Sequence, residues 1–107
     1  MSVNRDTISN LADYSSPGIV KKLLYSMDKL LHEGMWKGDV DAITVYIDLK
    51  TAINTKGVLT FKQRRYLLLW IEGYTQEEIG AMYRVARHGI SMTVDKGIKN
   101  ISNYLTP

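Results

Sequence analysis

The chain has 107 residues and no cysteine. Disulfides and thiolate metal ligands are therefore excluded, which fits a reducing cytoplasm. Long apolar runs are also missing. No stretch approaches the roughly 20 residues that a helix needs to cross a bilayer, and the first ten residues, MSVNRDTISN, hold no apolar core of the kind an export signal needs. The expectation is a cytoplasmic protein with no membrane partner. Catalytic signatures are absent too, with no glycine-rich phosphate loop, no nucleophile beside a base and no paired carboxylates, so no enzyme, catalytic residue or cofactor is expected. His32-Glu33 places a histidine next to a carboxylate, but zinc needs three or four ligands and neither an HExxH motif nor a second histidine at helical spacing accompanies it. Asp39, Asp41 and Asp48 scatter around a helix instead of converging on a cation, which indicates a solvated face. No internal repeat or low-complexity tract occurs.

A length of 107 residues suits one small folded unit, and 45% hydrophobic with 23% charged residues is ordinary for a packed chain. The net charge is only +3, but it is unevenly placed. Through residue 57 seven Lys/Arg balance seven Asp/Glu, whereas residues 58–107 set Lys62, Arg64, Arg65, Arg84, Arg87, Lys96 and Lys99 against Glu72, Glu77, Glu78 and Asp95. The excess cations lie where phosphate binding would use them.

Residues 1–15 read as a polar arm in which Ile8, Leu11, Ala12 and Tyr14 provide for one or two helical turns. Ser16-Pro17 is a helix start, with serine as cap and proline at the first helical position, where its missing N–H is not needed. The helix is predicted over 17–33, with Val20, Leu23, Leu24, Met27, Leu30 and Leu31 as its apolar stripe and Gly34 ending it. That stripe serves either core packing or a dimer seam. Residues 35–38 read as a turn, and Asp39 caps a second helix over 40–54. The β-branched run 43–47 resembles a strand, but the length of the segment and the register of Ala42, Tyr46, Leu49 and Ile53 favour a helix, and no second strand is there to pair with it.

Residues 54–57, Asn-Thr-Lys-Gly, form the clearest joint. Beyond it Thr60 and Gln63 make a capping box opening a helix over 61–72, closed by Gly73, with Leu67, Leu68, Trp70 and Ile71 on its buried side. A second box, Thr75 with Glu78, opens the next helix, in which Ile79, Met82 and Tyr83 share a face and Gly80 and Ala81 allow a close helix crossing. Residues 83–85 supply a short turn. A long helix follows, its buried stripe formed by Ile90, Val94, Ile98, Ile101 and Leu105, and its outward face by Arg87, His88, Gly89, Ser91, Met92 and Asp95. A capped helical hairpin with a solvated face has the same pattern as a helix-turn-helix, in which the second helix enters the major groove and meets base edges.

The ordered run Leu59-Thr60, Gln63-Arg64, Gly73 to Gly80 (GYTQEEIG), Val85-Ala86-Arg87, Ile90-Ser91 and Gly97 to Ile101 (GIKNI) resembles the fourth conserved region of bacterial sigma factors and of sigma-like DNA-binding proteins from phages of Gram-positive hosts. It covers a little under half the chain. The resemblance implies an all-α fold, with residues 58–107 as a sigma region 4-like helix-turn-helix and residues 1–57 as an N-terminal arm plus two helices that offer a dimer or partner surface. Two positions depart from the family. Ala86 stands where a serine or threonine usually caps the recognition helix, a loss of about 1 kcal/mol, and Gly89 in the first turn costs roughly 1 kcal/mol more against alanine. The recognition helix is thus expected to begin loosely and to firm up on DNA.

The resemblance implies a sequence-selective double-stranded DNA-binding protein, a phage-type transcription regulator in the host bacterial cytoplasm. Arg64 and Arg65 are its implied phosphate contacts, and Arg84 in the turn is placed for another. Arg87 is expected to read a base or grip an adjacent phosphate, because a guanidinium can bond two acceptors of guanine. His88, Ser91 and Met92 are the next base-edge candidates, Met92 by apolar contact with a thymine methyl. A homo-oligomer, with a dimer foremost, follows from the usual pairing of half-sites. Two alternatives stand beside this reading, a sigma-like factor that binds RNA polymerase and the DNA-recognition small subunit of a phage packaging terminase.

Overall fold

The computed structural model describes residues 13–107, which form six helices; no strand occurs among the described residues. Of the expected arm, residues 1–12 lie outside the described part, and Tyr14 is buried. No described helix is long and apolar enough to cross a membrane.

The first helix, α1 (Pro17–Tyr25), starts as expected, with the Ser16 side chain accepting from the Ile19 N–H at 3.5 Å. The single helix predicted over 17–33 does not form. The chain breaks at Ser26 (φ −106, ψ 19), whose N–H bonds back to the carbonyls of Lys22 and Leu23, and resumes as α2 (Met27–Trp36). The break separates two packings: α1, which buries Val20 and Leu24, packs mainly on the last helix, whereas α2 lies along the third. Gly34 does not end α2 either, and Met35 and Trp36 belong to the helix instead of the expected turn. A Cβ at Gly34 would stand 2.7 Å from the Ile43 Cβ, so glycine is needed there for close helix crossing. The reversal comes at Gly38, whose φ of 68 suits glycine.

Helix α3 (Val40–Asn54) begins where Asp39 accepts from the Ala42 N–H at 3.1 Å. Its β-branched run stays helical, and the Thr44 hydroxyl donates to the Val40 carbonyl at 2.8 Å. Ala42, Val45, Leu49, Ala52 and Ile53 are buried, with Val45 taking the place expected of the half-buried Tyr46. After the joint come α4 (Phe61–Glu72), α5 (Gln76–Tyr83) and α6 (Arg87–Leu105).

Helix α6 is the centre of the fold and packs on α1, α3, α4 and α5. Leu24, Leu49, Leu67, Ile79, Ile90 and Ile101, drawn from five helices and from both sides of the joint, are completely buried in one apolar cluster. Polar ties cross it at one end. The Tyr14 hydroxyl donates to Asp48 at 2.9 Å, and the buried Ser102 hydroxyl donates to the Tyr14 carbonyl, linking α3 and α6 through a residue just upstream of α1. Among the described residues no buried side-chain nitrogen or oxygen lacks a hydrogen-bond partner.

Candidate nucleic-acid interface

The unit α4–α5–α6 is set by local chemistry. The Gln63 N–H donates to the Thr60 hydroxyl at 3.2 Å and the Thr60 N–H to Gln63 Oε1 at 3.0 Å, closing the first turn of α4 as a capping box. The buried Gln63 does more than cap, because its Oε1 also accepts from Asn100 Nδ2 at 3.1 Å and so ties α4 to α6. Tyr66 and Leu67 complete the buried side of α4, whereas Leu68, Trp70 and Ile71, expected there, are only partly covered. Gly73 (φ 112) ends the helix. The second box, between Thr75 and Glu78 (3.1 and 3.0 Å), opens α5.

The turn between α5 and α6 is close-packed. A Cβ at Gly80 would overlap the Val85 carbonyl oxygen, so the glycine serves contact with the turn backbone, and the Val85 N–H donates to the Gly80 carbonyl at 2.9 Å. Ala81 and Met82, expected at the crossing and on the buried face, are exposed; Ile79 is fully buried and Tyr83 partly so. Arg84 adopts the left-handed conformation (φ 56, ψ 43), and it is the one non-glycine residue with positive φ among the described residues. That geometry costs an L-residue about 1–2 kcal/mol. Ala86 then occupies the cap position of α6 with no side-chain bond. Gly89 has a local reason to be small, since a Cβ there would meet Val85 Cγ1 at 2.9 Å.

The buried stripe of α6 comprises Ile90, Val94, Ile98 and Ile101 as expected, with Gly97 and Ser102 added and Leu105 only partly covered. Its opposite face presents Arg87, His88, Met92 and Asp95 exposed, with Ser91 half-buried. Arg87 Nη1 stands 4.0 Å from Glu77 Oε1, both side chains being mostly exposed. Beside them opens a groove of about 420 Å³ lined by Tyr25, Trp70, Tyr74, Gln76, Glu77 and Arg87, which leaves the guanidinium room to leave its loose partner.

The remaining candidates separate. The Arg65 guanidinium lies 4.6 Å from the Phe61 ring and 5.4 Å from the Tyr83 ring, at the C-terminal end of α5 and next in the chain to Arg84. Arg64 donates to Asn54 Oδ1 at 2.8 Å through one of its five N–H groups, which joins α4 to the end of α3. The aromatic bed of Arg65 was half legible as Phe61 and Arg65 at i and i+4; Tyr83, from another helix, left no local signal. The same holds for Asp95, which pairs with Lys21 of α1 at 3.8 Å. His32 and Glu33 take separate neighbours, His32 the Trp36 ring at 6.3 Å and Glu33 the Lys37 ammonium at 3.8 Å.

Comparisons of the chain with family models, with curated proteins and with solved structures find no match.

Proposed function

We propose that this chain is a sequence-selective double-stranded DNA-binding protein, a phage-type transcription regulator, with α5 and α6 as its helix-turn-helix and α6 as the helix that enters the major groove. One observation carries the reading. Helix α6 buries one stripe in the core while its opposite N-terminal face keeps Arg87, His88 and Met92 exposed, the placement that base-edge contact requires. Arg84 adds support, because an arginine held in a conformation that glycine would adopt without strain has a side-chain role to offset that strain. Its role is a phosphate contact beside Arg65, while Arg87 reads a base, His88, Ser91 and Met92 contribute adjacent base-edge contacts, and Arg64 positions α4 through Asn54.

A second observation bears on partners. Met35, Trp36, Val40 and Ile47 of α2 and α3 are exposed, large apolar side chains of the kind that a protein partner covers. A second copy of the chain is the first reading, since paired half-sites raise affinity. Docking on RNA polymerase is the other, and oligomerisation into a ring would favour the packaging-subunit reading.

The test is selection from a random duplex pool with the wild type and Arg87→Ala. The expected result is an enriched motif for the wild type and a loss of about 1–3 kcal/mol of discrimination at one base pair for the variant. Equal, unselective binding by both proteins would overturn the reading. A palindromic motif would identify the second copy as partner, and capture of purified polymerase without DNA would favour the sigma-like alternative.

A further inference from the structure

The face of α6 that carries His88 and Met92 continues. Asp95, Lys96 and Lys99 follow at the same three- and four-residue spacing, and all three are exposed. Helix α1 packs alongside and brings Lys21 to the same place. Pro17, Gly18, Lys21, Asp95, Lys96 and Lys99 line an open groove of about 300 Å³. Three ammonium groups thus border one carboxylate. Asp95 pairs with Lys21 at 3.8 Å, and Lys21 also lies 5.9 Å from the Trp70 ring centre. Among the described residues no acidic group lies within ion-pair distance of Lys96 or Lys99, which leaves an unbalanced charge of two on this flank.

Distance along the helix indicates what those charges meet. At 1.5 Å per residue, Lys96 and Lys99 lie roughly 12 and 17 Å beyond His88. The major groove is roughly 12 Å wide, so a first turn of α6 seated on base edges leaves the two lysines at and beyond its rim, where the phosphates run. We propose that Lys96, Lys99 and Lys21 grip the phosphate backbone of the duplex that α6 enters, extending the interface from the helix-turn-helix onto α1. This rests on the DNA-binding reading above. Asp95, by pairing with Lys21, limits its contribution, and the lysine pair Lys96 and Lys99 provides most of the contact.

The experiment is the salt dependence of binding to the selected duplex, between 50 and 200 mM salt, for the wild type, Lys96→Ala/Lys99→Ala, Lys96→Arg/Lys99→Arg and Asp95→Asn. Each phosphate contact contributes about 0.9 to the slope of log affinity against log salt. The alanine pair is expected to lower the slope by about 1.8, so that it loses about 12-fold less affinity over that range than the wild type, with the preferred motif unchanged. The arginine pair should keep the wild-type slope, and Asp95→Asn, by releasing Lys21, should steepen it by up to about 0.9. A wild type that binds its motif with the same slope as the alanine pair would overturn the proposal and leave the helix-turn-helix reading intact. Failure of the wild type to bind any duplex would remove both.

Discussion

In α4 and α5 the first turn is closed by side chains next to it in the chain, Thr60 with Gln63 and Thr75 with Glu78, and α4 stops at a left-handed glycine. Helix α2 starts at Ser26 with no side-chain cap and runs through Gly34, where the sequence pattern would stop it. The two regions differ in where the information for their boundaries resides. For the starts of α4 and α5 and the end of α4 it lies within four residues of the boundary. In α2 the glycine that looks like a stop is instead a contact with a packing partner nine residues away, since Ile43 is what requires Gly34. The surfaces differ too: the exposed face of α6 carries Arg87, Lys96 and Lys99, while α2 and α3 expose Met35, Trp36, Val40 and Ile47 among their charged residues.

The largest expected effect comes from the two glycines that permit close contact. A Cβ at Gly80 would meet backbone, the Val85 carbonyl, which cannot move without opening the turn into α6; Gly80→Ala should cost about 3 kcal/mol and lower amide-exchange protection across α5 and α6. Gly34→Ala meets the Ile43 Cβ at 2.7 Å, and separating the two helices of the hairpin relieves it, so about 2 kcal/mol is expected. Protection should then fall in α2 and α3 first. Urea melts with residue-resolved hydrogen exchange check both, and uniform loss of protection in Gly34→Ala would break the contrast between the two regions.

How much was legible in the sequence follows from the same difference. Asp39, Thr60 and Thr75 mark the starts of α3, α4 and α5 because a cap bond spans only three residues. The all-helical class and the buried stripe of α6 were legible because a fixed periodicity over many residues averages out local exceptions. The break at Ser26 was not, because no residue near it is a strong breaker; it lies between a helix packed mainly on α6 and one packed on α3. Of the candidate site, the exposed row Arg87, His88 and Met92 follows from helical phase alone. The Arg64–Asn54 bond, the placing of Arg65 against Tyr83 and the Lys21–Asp95 pair join separate helices, and no spacing within one helix predicts them.

Capping gives a finer test within the C-terminal half. Thr75→Ala removes the acceptor for the Glu78 N–H and should lower stability by about 1 kcal/mol. Helix α6 stands on the other side of that comparison, because Ala86 contributes no cap bond. Ala86→Ser should raise stability by up to about 1 kcal/mol, seen as a higher thermal midpoint. If the first turn of α6 tightens only on a duplex, the same substitution should also slow amide exchange at residues 87–90 in the free protein and leave the complex nearly unchanged. A serine that changes neither stability nor exchange would mean that packing of Gly89 against Val85 already holds this turn.

The smallest effect on stability is expected at the exposed apolar face of the hairpin. Met35 and Ile47 are 66% and 54% exposed, so Met35→Gln with Ile47→Gln removes little buried area while keeping a residue tolerated in helices, and stability should change by no more than about 0.5 kcal/mol. A merely solvated surface and a covered one part company in the oligomeric state. Apolar side chains that meet a second copy lose their desolvation gain when replaced by glutamine, so sedimentation should show the variant dissociating at concentrations where the wild type is associated. The melt of the wild type should then rise with concentration while that of the variant stays constant, because association adds to stability only through mass action. A wild type that sediments as a monomer with a concentration-independent melt would remove the second copy as occupant of this face. The asymmetry between the halves would then lie in chemistry alone.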